Sequence, residues 1–529
     1  MDDRPWWKDN IIYQIYPRSY RDTNGNGLGD LQGIIESLDY LAELGIGAIW
    51  LSPFYPTPDA DFGYDVSDHS DVDPRFGTLD DFDRLVKQAH DLNIKVIIDL
   101  VLNHTSNQHP WFNESRSSRE NPKRDWYIWR KEKNNWQAAF GGSGWEYDEK
   151  TGEYYYHMFL KEQPDLNWHN HEVRKAQLDV VRFWLDRGVD GFRLDVFNVY
   201  FKDKDFQNNP VKFGLRGFDR QRHIHDTDQP EMIPFLKELR ELLDSYKDTY
   251  AVGETFNATA ELAAGYVGEN ALHAAFSFDF TSSELFYPWK PTWLIGRIEK
   301  REQIFKKNRW PTTVMSNHDI PRAASRYSHG EDDANARLAM TLLMTLRGTP
   351  FLYYGEEIGM RDISLKYSEI KDPPGRKYWP IYKGRDGCRS PMQWNSEKYA
   401  GFSPVNPWLP IHPDHLLRNV EIQKNDPDSL YHFTRKLIQI RKENNALTSG
   451  TYSKLETDND KVMAYLRETN DQTVLVILNF SSKKEIFQIK IDMESVQWLS
   501  ILEEGLPFVI TAEPMELLPY AVSLYSNRK

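Results

Sequence analysis

The sequence predicts an α/β fold, a (β/α)8 TIM barrel with a subdomain inserted after the third strand and an antiparallel β-sandwich domain at the C-terminal end. Three observations carry this. Short β-rich runs alternate with helix-patterned segments over the first 450 residues or so, the pattern of a parallel barrel. The stretch 105–170, polar and rich in Trp and Gly ("NNWQAAFGGSGWEYDEKTGEYYYHMF"), is too long for a structureless connection. Beyond it, after residue 450, the pattern changes to alternating strands separated by turn residues.

The eight strands expected are "IIYQIYP" (11–17), "GAIWLSP" (47–53), "KVIIDLV" (95–101), "VDGFRLD" (189–195), "YAVGET" (250–255), "AAFSFDF" (274–280), "TTVMSNHD" (312–319) and "TPFLYYGEE" (349–357). Between most of them lie amphipathic stretches such as "LDDFDRLVKQAHDL" and "EVRKAQLDVVRFWLDRG", with apolar residues at helical spacing. The barrel is expected over 1–104 and 171–450, the insert over 105–170 with short strands of its own, and the C-terminal domain over 451–529. Strands of that last domain are expected in "KVMAYLRE", "TVLVILNFS", "EIFQIKID" and "LPYAVSLYS".

A chain of 529 residues exceeds what one core supports, in keeping with appended parts. With 40% hydrophobic, 27% charged and 14% aromatic residues it has the composition of a soluble globular protein rich in rings. A net charge of −14 repels phosphate backbones and anionic bilayers, so nucleic acid and membrane are poor partners, while a neutral ligand is unaffected. The single cysteine, Cys388, forbids an intrachain disulfide and fits a reducing compartment. "MDDRPWWKDN" has no basic region followed by an apolar core, and no apolar run approaches the roughly 20 residues of a membrane helix. The expectation is a cytoplasmic protein; the oligomeric state is not legible.

Barrels of this kind gather their chemistry at the C-terminal ends of the strands. Asp99, Asn103 and His104 follow the third strand, Arg193 and Asp195 end the fourth, Glu254 ends the fifth, and His318 and Asp319 end the seventh. A lone strand-end Asp often only caps the next helix, but this many carboxylates, with an arginine and two histidines, converge on one place. In "GVDGFRLDVFN" strand periodicity points Arg193 and Asp195 to the same side, and burying two charges is costly unless they are paired or used. Paired carboxylates suit glycosidic bond cleavage: one, protonated, donates to the leaving oxygen while the other, ionised, attacks the anomeric carbon. An arginine beside the attacking group keeps it ionised.

These residues carry a resemblance. "GFRLDVFN", "VGETF", "SNHD" and "DLVLNH" resemble the four short conserved regions of the α-amylase superfamily, glycoside hydrolase family 13. "IIYQIYPRSYRDTNGNGLGDLQGI", "FGYDVSDHSDVDPRFGT" and "GRDGCRSPMQW" are similar to its α-glucosidase and oligo-1,6-glucosidase branch, and the likeness runs over almost the whole chain. It implies a catalytic barrel, an inserted domain after the third strand and a C-terminal β domain. It further implies Asp195 as nucleophile, Glu254 as general acid/base, and Asp319 as the third carboxylate, which distorts and stabilises the sugar. Tyr64 and Asp65 of "FGYD", with His104, Arg193 and His318, would hold a glucose in the innermost subsite. Arg385 and Arg389 lie in the loop after the eighth strand, where surface ion pairing is the plain alternative; the resemblance brings one of them to the sugar, and Arg389 is favoured.

Within "DTNGNGLGD", Asp22, Asn24, Asn26 and Asp30 offer side-chain oxygens and Leu28 a carbonyl. Oxygen donors at alternate positions in a Gly-rich loop suit a hard cation, Ca²⁺ or else Mg²⁺, where the plain alternative is a polar turn. The resemblance implies a structural metal here, weakened by Asn26 where relatives carry an aspartate; catalysis itself needs no cofactor. The insert's Trp111, Trp126, Trp129, Trp136 and Trp145 are expected to be core more than sugar platforms.

The resemblance is to exo-acting enzymes on short oligosaccharides. Val196, directly after the expected nucleophile, accompanies α-1,6 preference, whereas the flanking "FNVYFKDKDFQNNP" looks like relatives that cleave α-1,4 bonds or transfer glucose. The expectation is a retaining α-glucosidase favouring α-1,6 links, with a maltase-like α-1,4-glucosidase and a glucosyl transferase or sucrose isomerase as alternatives. A non-catalytic transporter-associated subunit would carry a membrane helix and lack carboxylates, and trehalose 6-phosphate hydrolysis would need a basic phosphate pocket that the sequence does not reveal.

Overall fold

Each of the eight apolar runs is a strand in the computed structural model, which describes residues 4–528 apart from 257–258, 282–288, 307–308, 329–331, 491–496, 503–506 and 510–512. The strands are β1 (Ile12–Ile15), β2 (Ala48–Leu51), β3 (Lys95–Leu100), β4 (Gly191–Leu194), β5 (Tyr250–Glu254), β6 (Ala274–Phe276), β7 (Thr312–Val314) and β8 (Thr349–Tyr353). They form one parallel sheet in the order β7-β8-β1-β2-β3-β4-β5-β6. Only the β6–β7 seam lacks a ladder, and there the Thr312 hydroxyl donates to the Ala275 carbonyl at 3.3 Å.

Strand parity decides what reaches the site. The barrel is filled by a cluster that includes Ile12, Ala48, Trp50, Ile97, Val252 and Phe276, with Trp7 at its N-terminal end. Two residues beyond Ile97 comes Asp99, and two beyond Val252 comes Glu254; alternation therefore turns both toward the axis, at the top of the packed interior. In the same registers Asp99 lies opposite Arg193 and Arg193 opposite Val252.

The two helices quoted above form as expected. Leu79–Asp91 starts at a capping box in which Thr78 and Asp81 each bond the other's backbone, and buries Phe82, Leu85, Val86 and Ala89. His171–Asp186 is capped by Asn170 and buries Val173, Leu178, Val181 and Trp184. Between β3 and that helix, Trp129–Arg130, Trp145–Asp148 and Glu153–Tyr156 make a three-stranded antiparallel sheet. Trp136 and Trp145 are buried beneath it, 6.2 Å apart and stacked, as core residues.

From Thr451 the chain makes a seven-stranded antiparallel sheet, with the ribbon of Glu485–Phe487 and Met515–Leu517 beside it. The strand expected over 485–492 is broken into Glu485–Phe487 and Ile489–Lys490, and 491–492 lie outside the described residues. An arginine of this domain reaches into the barrel, where two arginines of the barrel itself bond the same turn. The helix Ala334–Thr345 ends in carbonyls that its own turns leave without partners. Arg441 donates to the carbonyls of Met344, Leu346 and Gly348 at 2.7, 3.2 and 2.6 Å. Arg467, on the strand Val462–Glu468, donates to that of Thr345 at 2.5 Å, and Arg301 to that of Arg347 at 3.0 Å. All three arginines are buried; burial lowers Arg441 to about 10 and Arg467 to about 9.

Candidate active site

The C-terminal mouth of the barrel is organised around one guanidinium. Arg193, 1% exposed, donates through Nη1 to Asp99 Oδ1 at 2.7 Å and Asp195 Oδ1 at 2.6 Å, and through Nη2 to Glu254 Oε2. Three carboxylates from three adjacent strands thus share one cation. The fork of parallel N–H groups lets one side chain hold several acceptors at fixed angles, which an ammonium cannot do. Directly after Asp195, Val196 stands at φ +33°, left-handed backbone that a β-branched residue rarely adopts. The turn aims Asp195 into the opening while its own N–H still bonds the Leu100 carbonyl at 3.0 Å; strain of this kind concentrates at functional sites.

A polar chain supports the next layer. Gln14 Nε2 donates to His318 Nδ1 at 2.8 Å, which fixes the proton on Nε2. That nitrogen donates to the Tyr64 hydroxyl at 2.6 Å, and Tyr64 in turn donates to Asp99 Oδ2 at 3.2 Å. His104 is held in the same manner, accepting from Asn103 at 3.1 Å and donating to the Tyr64 carbonyl at 2.9 Å. Burial pushes His318 down to about 3 and lowers His104 as well, so both rings are neutral hydrogen-bonding groups near pH 7.

The carboxyls divide into two kinds. Burial raises Asp195 and Glu254, against the pull of Arg193, and each also feels the neighbouring carboxylates. Asp99 is pushed up to about 6 by burial, opposed by Arg193. Two such neighbours titrate as a unit, and their mutual repulsion favours one shared proton. Asp319 behaves oppositely. Burial would raise it, but the His318 ring, Arg385 and Arg389 outweigh that and hold it far below the usual carboxylate range. We attribute this to the arginines, because His318 is neutral at working pH. Arg389 Nη2 donates to Asp319 at 2.6 Å and its Nε to the His318 carbonyl at 2.7 Å. Arg385 Nη1 reaches Asp319 at 3.4 Å.

These groups border a cavity of about 260 Å³. Tyr64, His104, Asp195, Glu254 and Asp319 line it, together with Val196. Arg193, His318 and Arg389 do not reach its surface; they sit behind it and bond the groups that do. Arg193 and His318, expected to hold the sugar themselves, are thereby corrected to supporting positions, and two further expectations are corrected. Asp65 is fully buried away from the cavity, where it accepts from the Thr57 hydroxyl at 2.8 Å and the Ala60 and Asp61 N–H groups at 2.8 and 2.9 Å. It shapes the loop, and Asp61 is the carboxylate of "DFGYD" at the cavity wall. Arg385 rather than Arg389 lines the cavity, bonding Asp61 and Asp372 at 2.7 Å each. The sequence reading also missed Phe140, Phe159 and Gln163 of the insert, Phe256 and Tyr382. The position of Phe256 inside "VGETF" was a usable signal; nothing in the sequence brings residues 140–163 over the barrel mouth.

The loop expected to take a cation closes on its own hydrogen bonds. Asp22 accepts from the N–H groups of Gly25 and Gly27, both at 2.8 Å, and from the Ser403 hydroxyl at 2.6 Å. Asp30 accepts from Thr23 and caps the following helix through the Gly33 N–H at 2.7 Å. Asn24 and Asn26 each give an amide proton to the Arg75 carbonyl, at 3.2 and 3.1 Å, and Asn26 accepts the Leu28 N–H at 2.7 Å. The donor set is all oxygen, with two carboxylates, which fits a hard cation and not a transition metal. Among the described residues no group of three or more His, Cys, Asp or Glu could hold a metal, so such a site rests on the amides and the carbonyl as well.

The family described as "Alpha amylase, catalytic domain" matches residues 14–450, and that described as "Maltogenic Amylase, C-terminal domain" matches 452–522. The chain belongs to the α-amylase family. It is a glycoside hydrolase. Among its relatives, a probable α-glucosidase of Rhizobium meliloti is 44% identical over 91% of this chain and 90% of its own length. An oligo-1,6-glucosidase of Parageobacillus thermoglucosidasius is 40% identical over 92% of each chain. Among solved structures, an α-glucosyl transfer enzyme superposes with a TM-score of 0.92 at 40% identity, covering 99% of this chain and 100% of its own. An isomaltulose synthase from Erwinia rhapontici does so at 0.91 and 35% identity, with the same coverage. This α-amylase family member has no helix, among its described residues, long and apolar enough to cross a membrane.

Proposed function

We propose that the protein is a retaining, exo-acting α-glucosidase that releases glucose from the non-reducing end of short α-glucosides and favours α-1,6 links. The observation that carries this is the shared guanidinium. Asp195 and Glu254 accept from Nη1 and Nη2 of Arg193, so the two carboxyls stand side by side. Inverting enzymes space theirs roughly 6.5–9.5 Å apart to admit a water; retaining enzymes need only about 5–5.5 Å.

Asp195, ionised beside Arg193, attacks the anomeric carbon and forms a covalent glucosyl ester. Glu254, the more exposed of the pair, gives its proton to the leaving oxygen, then takes one from the water that cleaves the ester. The charge on Asp319, held by the two arginines, stabilises the positive character of the sugar ring in both transition states. Tyr64 and His104 orient the sugar, and the Asp61–Arg385 pair closes the pocket around its non-reducing end. The phenyl rings of Phe140, Phe159 and Phe256 line the outer part. That dry wall, with the likeness to a glucosyl transfer enzyme and an isomaltulose synthase, favours a second reading in which a sugar hydroxyl replaces water as acceptor.

The deciding experiment measures initial rates on isomaltose, maltose and sucrose, with the anomer of the first-formed glucose read by NMR. We expect α-glucose and faster isomaltose cleavage. β-Glucose would overturn retention, faster maltose cleavage would move the assignment to an α-1,4-glucosidase, and rearranged sucrose would make it an isomerase.

The same reading places a structural Ca²⁺, or Mg²⁺, on Asp22, Asn24, Asn26, Asp30 and the Leu28 carbonyl, and the enzyme in the cytoplasm, where its buried Cys388 thiol stays reduced. Because the loop closes without help, the ion adds stability and is not needed for folding. EDTA-treated protein is expected to remain folded and to gain about 2.7 kcal/mol at Ca²⁺ a hundredfold above Kd; a melting temperature that Ca²⁺ does not move rules the site out.

A further inference from the structure

The end of the barrel opposite the catalytic mouth carries a larger cavity, of about 730 Å³, within the range of small-molecule sites. Its walls are the residues that lead into the strands: Trp7 ahead of β1, Thr249 ahead of β5, His273 ahead of β6 and Trp310 ahead of β7.

The charges there are unevenly matched. Arg240 is engaged by Asp244 at 2.8 Å and by the carbonyls of Gly268 and Ala271, and Arg4 pairs with Asp9 at 2.9 Å. Lys8 and Arg309 line the same cavity; the neighbouring carboxylate of Asp9 acts on Lys8 only weakly, being paired with Arg4. The Lys8 ammonium lies instead over the rings of Trp7 and Trp310, 5.1 and 5.4 Å from their centroids. A cation over rings has given up water for a weaker partner than an ion pair. Burial, then the charge of Arg4, accordingly lowers the pKa of Lys8. His273 adds a neutral donor: its Nδ1 accepts the Ala251 N–H at 3.1 Å, which leaves the proton on Nε2. The remaining carboxylates of the wall, Asp248 and Glu269, are exposed. The cavity as a whole is near charge balance, but its carboxylates are engaged by Arg240 or stand exposed at its edge, Arg4 is taken by Asp9, and Lys8, Arg309 and His273 are left as donors along one stretch of wall.

We propose that this cavity binds a small oxyanion, a phosphate group free or carried on a sugar, through Lys8, Arg309 and His273. The catalytic assignment does not enter the argument. Calorimetric titration of the full-length protein with inorganic phosphate and with glucose 6-phosphate, at ionic strength matched with NaCl, tests it. One saturable site is expected, with a raised melting temperature. Lys8→Met and Arg309→Gln should each weaken binding by about tenfold, the worth of one charged hydrogen bond. The exposed Arg309 makes its variant safe for folding, and phosphate-free turnover of Arg309→Gln should match wild type. Tighter binding of glucose 6-phosphate identifies a sugar-borne phosphate, equal binding a free one. The proposal falls if neither ligand saturates at millimolar concentration or if both variants bind as wild type does. It falls equally if a glucose-mimicking inhibitor displaces the anion, which would place it in the catalytic cavity.

Discussion

Asp195→Asn is expected to lower kcat/KM on α-glucosides by about 10⁴-fold or more, the order seen when a covalent nucleophile is removed. The amide is nearly isosteric and can still accept from Arg193, so the fold and sugar binding should survive while attack on the anomeric carbon stops. A smaller variant separates chemistry from structure. Asp195→Gly leaves a space beside Arg193 that azide, a small anionic nucleophile, can enter from the same face; glucosyl azide of β configuration should then form from an activated α-glucoside. Activity of Asp195→Asn near the wild-type level, measured on protein purified free of wild-type enzyme, would refute the mechanism.

Arg193→Met is expected to cost about 3–5 kcal/mol of stability at neutral pH, as breaking a buried ion cluster by removing one partner does. Asp99, Asp195 and Glu254 would then face one another in a buried space with their common cation gone. The sign of the pH dependence follows. Burial already raises Asp195 and Glu254 above their usual values, and without Arg193 all three rise further, so these three carboxyls bind more protons in the folded variant than in its unfolded chain. Their contribution to stability is fully present below the unfolded carboxylate range of roughly 3.9–4.3 and is lost as pH climbs from there to the raised folded values. Urea unfolding at a series of pH values should show the deficit relative to wild type shrinking in mild acid. A deficit that does not change with pH would mean the loss is one of packing.

The barrel was legible because each strand is an apolar run and each flanking helix carries its own period. Two of the carboxylates at the mouth were legible because strand ends have fixed parity: once Ile97 and Val252 face the interior, Asp99 and Glu254 must follow. Loop geometry was not legible. Asp61 and Asp65 lie four residues apart in one motif, and what separates their roles is that Asp65 turns back to accept two N–H groups of its own loop, a choice made by backbone conformation. Arg385 and Arg389 present the same difficulty on the other side of the cavity. The aromatic wall of Phe140 and Phe159 depends on how a separate subdomain folds over the mouth, which no local pattern encodes. The C-terminal strands were found where they are long and alternate, and overlooked where they are short, as at Gln497–Ser500.

The arginines that meet the end of the helix Ala334–Thr345 carry a consequence for how the molecule comes apart. That helix packs between β7 and β8 in sequence, and its terminal carbonyls have their donors on Arg441 and, across the domain boundary, on Arg467. Separating the C-terminal sheet would strand the Thr345 carbonyl in an apolar surface and leave Arg467 only the carbonyls of Gly450 and Thr451 at the boundary, so the two domains should melt in a single cooperative transition. The β-sheet domain is therefore less an accessory module than the missing last turn of a barrel helix, and deleting it would loosen the wall next to the strand that carries His318 and Asp319.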